Sequence, residues 1–231
     1  MADATDATAD MLRKMLSPSP AQRPPDRNDW VNRRKSEATG VSEKTFRTAL
    51  RSASKGGAAD LSGWHYEHLQ LTLGRKSTYM SIVDVCSQIA KGCMTDDFYA
   101  SSALGRVTPL RKGLKNKLRP LVCGSTWRRL TMSALSGAHK GIFRTFLGDE
   151  QPAVEVKAAL EKLAATLSVL LRRHPDAAVL QIDAVSAFNN MLREVMLEEL
   201  EACCPQLLTV FAQWLARDSA VVLFTPDWRA V

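Results

Sequence analysis

The sequence predicts a helix-rich α+β fold with a small, incomplete antiparallel sheet, and three observations carry that prediction. Most of the chain places its apolar residues three and four apart, the spacing of a helix with one buried face. Only short runs, within 104–123, at 177–183 and at 220–224, have the turn-bounded, β-branched character of strands. Hydrophobic residues make up 45% of 231 residues, enough for one sizeable core or two modest ones, and no run reaches the roughly 18 apolar residues of a membrane span.

Taken in order, residues 1–40 are rich in Ala, Asp, Ser, Pro and Arg around SPSPAQRPP, too poor in aliphatics to offset the entropy of ordering. They are expected to form a flexible N-terminal arm, with the folded unit over 41–231. VSEKTFRTALRSA sets Phe46, Ala49 and Leu50 at helical spacing and stops at Lys55-Gly56-Gly57. A turn at Ser62-Gly63 leads into a short helix. A longer one follows near 78–92, with Ile82, Val83, Cys86, Ile89 and Ala90 on one face. LGRVTPLRKGLKNKLRPLVC reads as a basic hairpin whose two prolines, Pro109 and Pro120, confine both strands to edge positions. Helical spacing returns over 126–146 and 153–172, and Pro175 ends the second of these helices. AAVLQID (177–183) has the length and composition of a buried strand. Helices at 191–202 and 206–216, separated by Pro205, precede a strand at 220–224, and Arg193 is expected to pair with Glu194 or Glu198 on the surface of the first.

Charge is unevenly distributed. Between Phe98 and Gly148 there are ten cations and no carboxylate, whereas the whole chain carries +7, so the remainder is net acidic. Such a segment suits a polyanion, because each neutralised phosphate releases condensed counterions; an ordinary basic surface has the same composition. The five cysteines are odd in number and have no CxxC spacing, which points to reduced thiols. The acidic start, MADATDATAD, is unlike a secretory or transit peptide, and an intracellular location, nuclear or cytoplasmic, is expected.

LQIDAVSAFNN (180–190) ends an apolar run in Asp183, with an aromatic five residues later. An acid at a strand end can hold Mg²⁺, or it can simply cap the next helix. RVTPLRKGLKNKLRPLVCGSTWRRL, followed some fifty residues on by this stretch, resembles the fingers and first palm motif of reverse transcriptases, most closely those of LINE-type, non-long-terminal-repeat retrotransposons. The resemblance covers about residues 45–224. It implies a fingers–palm fold of a right-hand polymerase, fingers-like over 41–150 and the start of the palm over 151–231.

It further implies RNA-directed DNA polymerisation on an RNA template and a DNA primer, with deoxynucleoside triphosphates as substrate and Mg²⁺ as cofactor. Lys112 and Arg119, seven residues apart on the hairpin, match the cations that meet the incoming triphosphate. Asp183 matches the first catalytic, metal-binding acid, and Ala184 the residue whose carbonyl sits beside the metal. Phe188 matches the aromatic gate that excludes a ribose 2′-hydroxyl. Arg111, Lys115, Lys117, Arg128, Arg129 and Gln151 then fall to template contact.

ALRSASKGGAADLSGWHYEHLQ resembles the segment that precedes these motifs, but Asp60 stands where a glycine is common and Ser62 where an aspartate is common. The family's aromatic-x-Asp-Asp box, which supplies the second acid for two-metal phosphoryl transfer, does not follow Asp183. Asp96-Asp97 is the one Asp-Asp pair; it lies upstream of Asp183 and reads as helix capping. The chain is therefore expected to be a fragment ending before the second catalytic motif and inactive by itself. A noncatalytic nucleic-acid-binding scaffold and a decayed retroelement remnant are the alternatives. His65 and His68 have no evident third ligand, and Trp64, Tyr66 and Trp127 are expected mainly to pack.

Overall fold

The computed structural model describes residues 5–17, 22–112, 117–148, 151, 157–184 and 187–224. The first helices are α1 (Asp6–Leu16), α2 (Arg27–Arg33), α3 (Glu43–Ser52), α4 (Tyr66–Gln70), α5 (Lys76–Ala90) and α6 (Asp96–Ala103). A hairpin of β1 (Gly105–Lys112) and β2 (Lys117–Gly124) follows. Then come α7 (Thr126–Leu147), α8 (Ala159–Arg173), α9 (Arg193–Cys203), α10 (Leu208–Leu215) and β3 (Val221–Leu223).

The main core is the meeting of α3, α5, α6, α7 and the α9–α10 corner around Phe46, Leu50, Tyr79, Ile89, Tyr99 and Leu130, all fully buried. Their polar atoms are satisfied inside it. The Tyr79 hydroxyl donates to the Glu43 carbonyl at 3.0 Å, Tyr99 to Ile89 at 2.8 Å, and the Trp214 indole N–H to the Ser102 hydroxyl at 2.9 Å. Burial pushes the Cys86 thiol up to about 11, leaving it protonated and unreactive. All five cysteines are free, although only Cys86 and Cys204 are buried and Cys93 is exposed. The turn after α5 needs Gly92. Its φ is +71°, and a side-chain carbon there would stand 2.7 Å from Thr209 Cγ2 on α10.

Four expectations are corrected. The arm of residues 1–40 contains two packed helices. Thr5 caps α1, which lays Ala9 and Leu12 against Val107 and Leu223 of the sheet, and Asp26 caps α2, which buries Trp30 and Val31 against Leu197, Leu208 and Ala212. Average composition over forty residues hid two short apolar stripes behind the proline-rich stretch between them.

The sheet is mixed, in the order β2-β1-β3: β2 runs antiparallel to β1, and β3 runs parallel to it through Gly105↔Val221, Arg106↔Val222 and Val107↔Leu223. Thus β1 is central over 105–107 and an edge only beyond. Pro109 falls in that outer part, directly opposite Pro120. A facing pair that exchanges no ladder hydrogen bonds accommodates two missing N–H groups.

The expected strand at 177–183 does not form. These residues are exposed and irregular, with Leu180 and Ile182 each 83% exposed. A strand needs an open partner edge, and β3 occupies the position beside the root of β1. The helix expected from 153 begins at Ala159, residues 152–156 lying outside the description, and it buries none of its residues.

Arg193, the fourth, was expected to pair with Glu194 or Glu198. It instead donates to the Arg217 carbonyl at 2.7 Å, just past the end of α10. A guanidinium satisfies orphan carbonyls at a helix C-terminus as well as it satisfies a carboxylate. Asp96 and Asp97 do sit in the first turn of α6, but Thr95 is its cap; Asp96 receives Arg27 and Arg217, each at 2.6 Å.

Candidate nucleic-acid and nucleotide interface

Strand alternation sorts the hairpin into two faces. Gly105, Val107 and Pro109 share one face with their partners Gly124, Val122 and Pro120, and α1 lies over its root at Val107. Positions 106, 108, 110 and 112, with their partners 123, 121, 119 and 117, share the other. Lys112, Lys117, Arg119 and Arg106 therefore occupy one face by register, and Arg111 occupies the opposite one. Positions 112 and 119 are diagonal neighbours, which sets them about 7–8 Å apart. Arg119 is exposed, and Arg106 lies with its guanidinium 5.7 Å from the centre of the Phe224 ring. Lys115 and the tip at 113–116 lie outside the described residues, as do the side chains of Lys112 and Lys117.

Behind the hairpin, the start of α7 is fixed by a side chain from far upstream. Asp60 is 3% exposed; its Oδ1 accepts from Ser62 N (3.0 Å), Ser62 Oγ (2.8 Å) and Trp64 N (3.0 Å), and its Oδ2 from Thr126 N at 2.7 Å. Thr126 Oγ1 completes the clamp by donating to the Trp64 carbonyl at 2.9 Å. Burial pushes the Asp60 carboxyl up, but the hydrogen bonds from Thr126, Ser62 and Trp64 outweigh it and hold the pKa below the usual carboxylate range.

Arg128 and Arg129 follow at once, and both are engaged by aromatic rings. Arg128 lies 5.0 Å from the centre of Trp214, and burial lowers its pKa. Arg129 lies 4.8 Å from Tyr66 and donates to Thr126 Oγ1 at 3.2 Å, and its Nε is buried without a hydrogen-bond partner among the described residues. Trp64 stacks edge-on with both Trp127 (5.8 Å) and His68 (5.7 Å). His65 donates from Nδ1 to the Gly57 carbonyl at 2.9 Å, and His68 Nδ1 accepts from His65 N, so both imidazoles hold the turn.

The residues expected to form the start of a palm are not gathered beside this face in a folded strand. Asp183 and Ala184 lie in exposed, irregular chain, and Gln151 is exposed between undescribed neighbours. Phe188 belongs to a short 3₁₀ turn, Ala187–Asn190, and its side chain is outside the description. No group of three or more His, Cys, Asp or Glu side chains able to hold a metal ion occurs among the described residues. Mg²⁺ needs near-octahedral oxygen ligation, from one or two carboxylates plus phosphates and water; Asp183 alone supplies one acid, so the described residues do not make up that site.

Sequence reasoning missed Asp60, which it recorded only as a departure from a glycine. The two-residue offset of Asp60, Ser62 and the following Trp64 is the pattern of an Asx turn and could have marked it. Among the described residues, no helix is long and apolar enough to cross a membrane. Comparison with protein-family models, with characterised proteins and with solved structures found no match.

Proposed function

We propose that the chain is the fingers and opening palm of a reverse transcriptase-type polymerase, and that the open hairpin face is where it meets phosphate. The observation that carries this reading is the register that sets positions 112, 117 and 119 on one face, with the seven-residue spacing of Lys112 and Arg119 bringing those two to diagonal neighbours. Two cations so placed can grip a triphosphate and offset the charge that develops when the primer 3′-hydroxyl attacks the α-phosphorus and pyrophosphate leaves. The acid-free segment around them supplies a field for an RNA template and DNA primer. In this reading Asp183 is the first metal-binding acid, with Ala184 beside it and Phe188 as the sugar gate. These 231 residues alone are expected not to polymerise, because no aromatic-x-Asp-Asp box follows Asp183.

Deoxynucleotide binding in the presence of Mg²⁺ tests the proposal. Lys112→Ala and Arg119→Ala should each weaken binding roughly tenfold, while Arg111→Ala, on the opposite face, should change it little. Equal losses from all three substitutions would remove the face-specific reading. A noncatalytic nucleic-acid scaffold is favoured by the exposed, irregular setting of Asp183. It is distinguished by binding that falls steeply with salt and ignores Asp183→Ala, whereas the polymerase reading requires Mg²⁺-dependent deoxynucleotide binding to be lost with that substitution.

A further inference from the structure

Two apolar surfaces of this chain lack a cover. The first is a groove of about 440 Å³ between the end of α7 and the start of α9, walled by Phe143, Phe146, Leu147, Leu192, Val195 and Cys203. The second is α8. Leu160, Leu163, Ala164, Leu167, Leu170 and Leu171 fall on one stripe of its 15 residues, none of them is buried, and Leu160 is 77% exposed. Among the described residues, the most exposed large apolar side chains belong to α8 and to the run that follows it, at Leu160, Leu180 and Ile182, apart from Leu71. An apolar stripe left in water is unfavourable, so the two surfaces have reason to meet.

Charge and connectivity say which helix fits. On the α9 wall Glu199 lines the groove, and the last turn of α8 carries Arg172 and Arg173; none of these three has an ion pair among the described residues. A glutamate in the groove wall is complementary to a helix with a basic end. Moreover α8 is tethered to both walls. Residues 148–158 join it to the end of α7, and 174–190 join it to Met191, which also lines the groove. Short tethers of this kind give an effective concentration on the order of millimolar, well above that of a second molecule in dilute solution.

We propose that α8 is a strap that closes into the α7–α9 groove of its own chain, its leucine stripe on the apolar floor and Arg172 and Arg173 toward Glu199. This closure does not depend on the polymerase reading. The arrangement described above is then the open state, and 174–184 swing with the strap.

Cys203 in the groove wall provides the probe. In a chain with Cys93 and Cys123 replaced by serine, Leu167→Cys on the stripe should form a disulfide with Cys203 under a mild oxidant, within a monomer. Ala165→Cys, on the far side of α8, should form it about tenfold more slowly or not at all. Because no α8 residue is buried, neither substitution removes core packing. As a second measurement, Leu163→Asp with Leu170→Asp should speed alkylation of Cys203 in the otherwise unaltered chain. Equal cross-linking from positions 165 and 167, or alkylation indifferent to the aspartates, would overturn the closure. A disulfide found solely between chains would overturn it too, and would assign the groove to the helix of a second copy.

Discussion

Asp60 shows how much a single buried carboxylate can organise. One oxygen gathers the 60–64 turn and the other caps the first turn of α7, the helix that carries Arg128 and Arg129. Asp60→Asn sets an amide N–H against donors whichever way the side chain is turned. It should cost about 1–3 kcal/mol, read as a lower urea midpoint. The folded pKa of Asp60 is depressed, so its contribution is present above the unfolded value, near 4, and is lost as pH falls through the folded value. The gap between wild type and Asp60→Asn should therefore narrow below about pH 4, and equilibrium unfolding across acid pH would check this. The sequence names Asp60 but not its partner. Thr126 lies 66 residues away, and no local pattern announces a contact at that separation.

At the scale of elements, local chemistry was readable where it was self-sufficient. The hairpin needs only its two runs and a polar turn, and it forms in the register that pairs Pro109 with Pro120. The helices α3 and α5, and α7 as far as Leu135, have stripes that match the observed core, whereas Ile142 and Phe146 at the end of α7 are exposed. The run at 177–183 failed because a strand is defined by its neighbour, and composition cannot reveal that β3 takes the place beside β1. The N-terminal helices failed for the opposite reason: their stripes are real but short, and their stability comes from the surfaces they cover. Trp30 is 2% exposed, with the Arg33 guanidinium 3.9 Å above its ring. Trp30→Ala should cost about 3–5 kcal/mol, measurable by chemical denaturation. Removing residues 1–40 should likewise lower the midpoint by uncovering Leu208 and Val107, where loss of a merely flexible arm would leave it unchanged. Asp96, by contrast, holds Arg27 and Arg217 in the open, its side chain 63% exposed. Exposed pairs of this kind are worth roughly 0–1 kcal/mol, so Asp96→Ala should move stability far less than Trp30→Ala does.

For the whole molecule, the concentration of cations around the hairpin sets long-range behaviour that no individual contact describes. Binding of a nucleic-acid strand should weaken linearly in log–log terms as salt rises, and Arg119→Ala should reduce the slope by about one if that side chain neutralises a phosphate. A filter-binding or anisotropy series at several salt concentrations measures both. The basic half of the candidate site was visible in the sequence because charge and hairpin spacing are local. The exposed, irregular setting of Asp183 was not visible, since a strand depends on a partner edge that the local run does not contain.

The opposed prolines bear on how the protein behaves in company. In a facing pair without ladder hydrogen bonds, each residue turns its backbone amide outward, and at Pro120 that outward position has no hydrogen to donate. A foreign strand approaching the free side of β2 would meet this gap, flanked by the charges of Lys117 and Arg119. The free edge of the ribbon is thus guarded against recruiting other chains into a growing fibril.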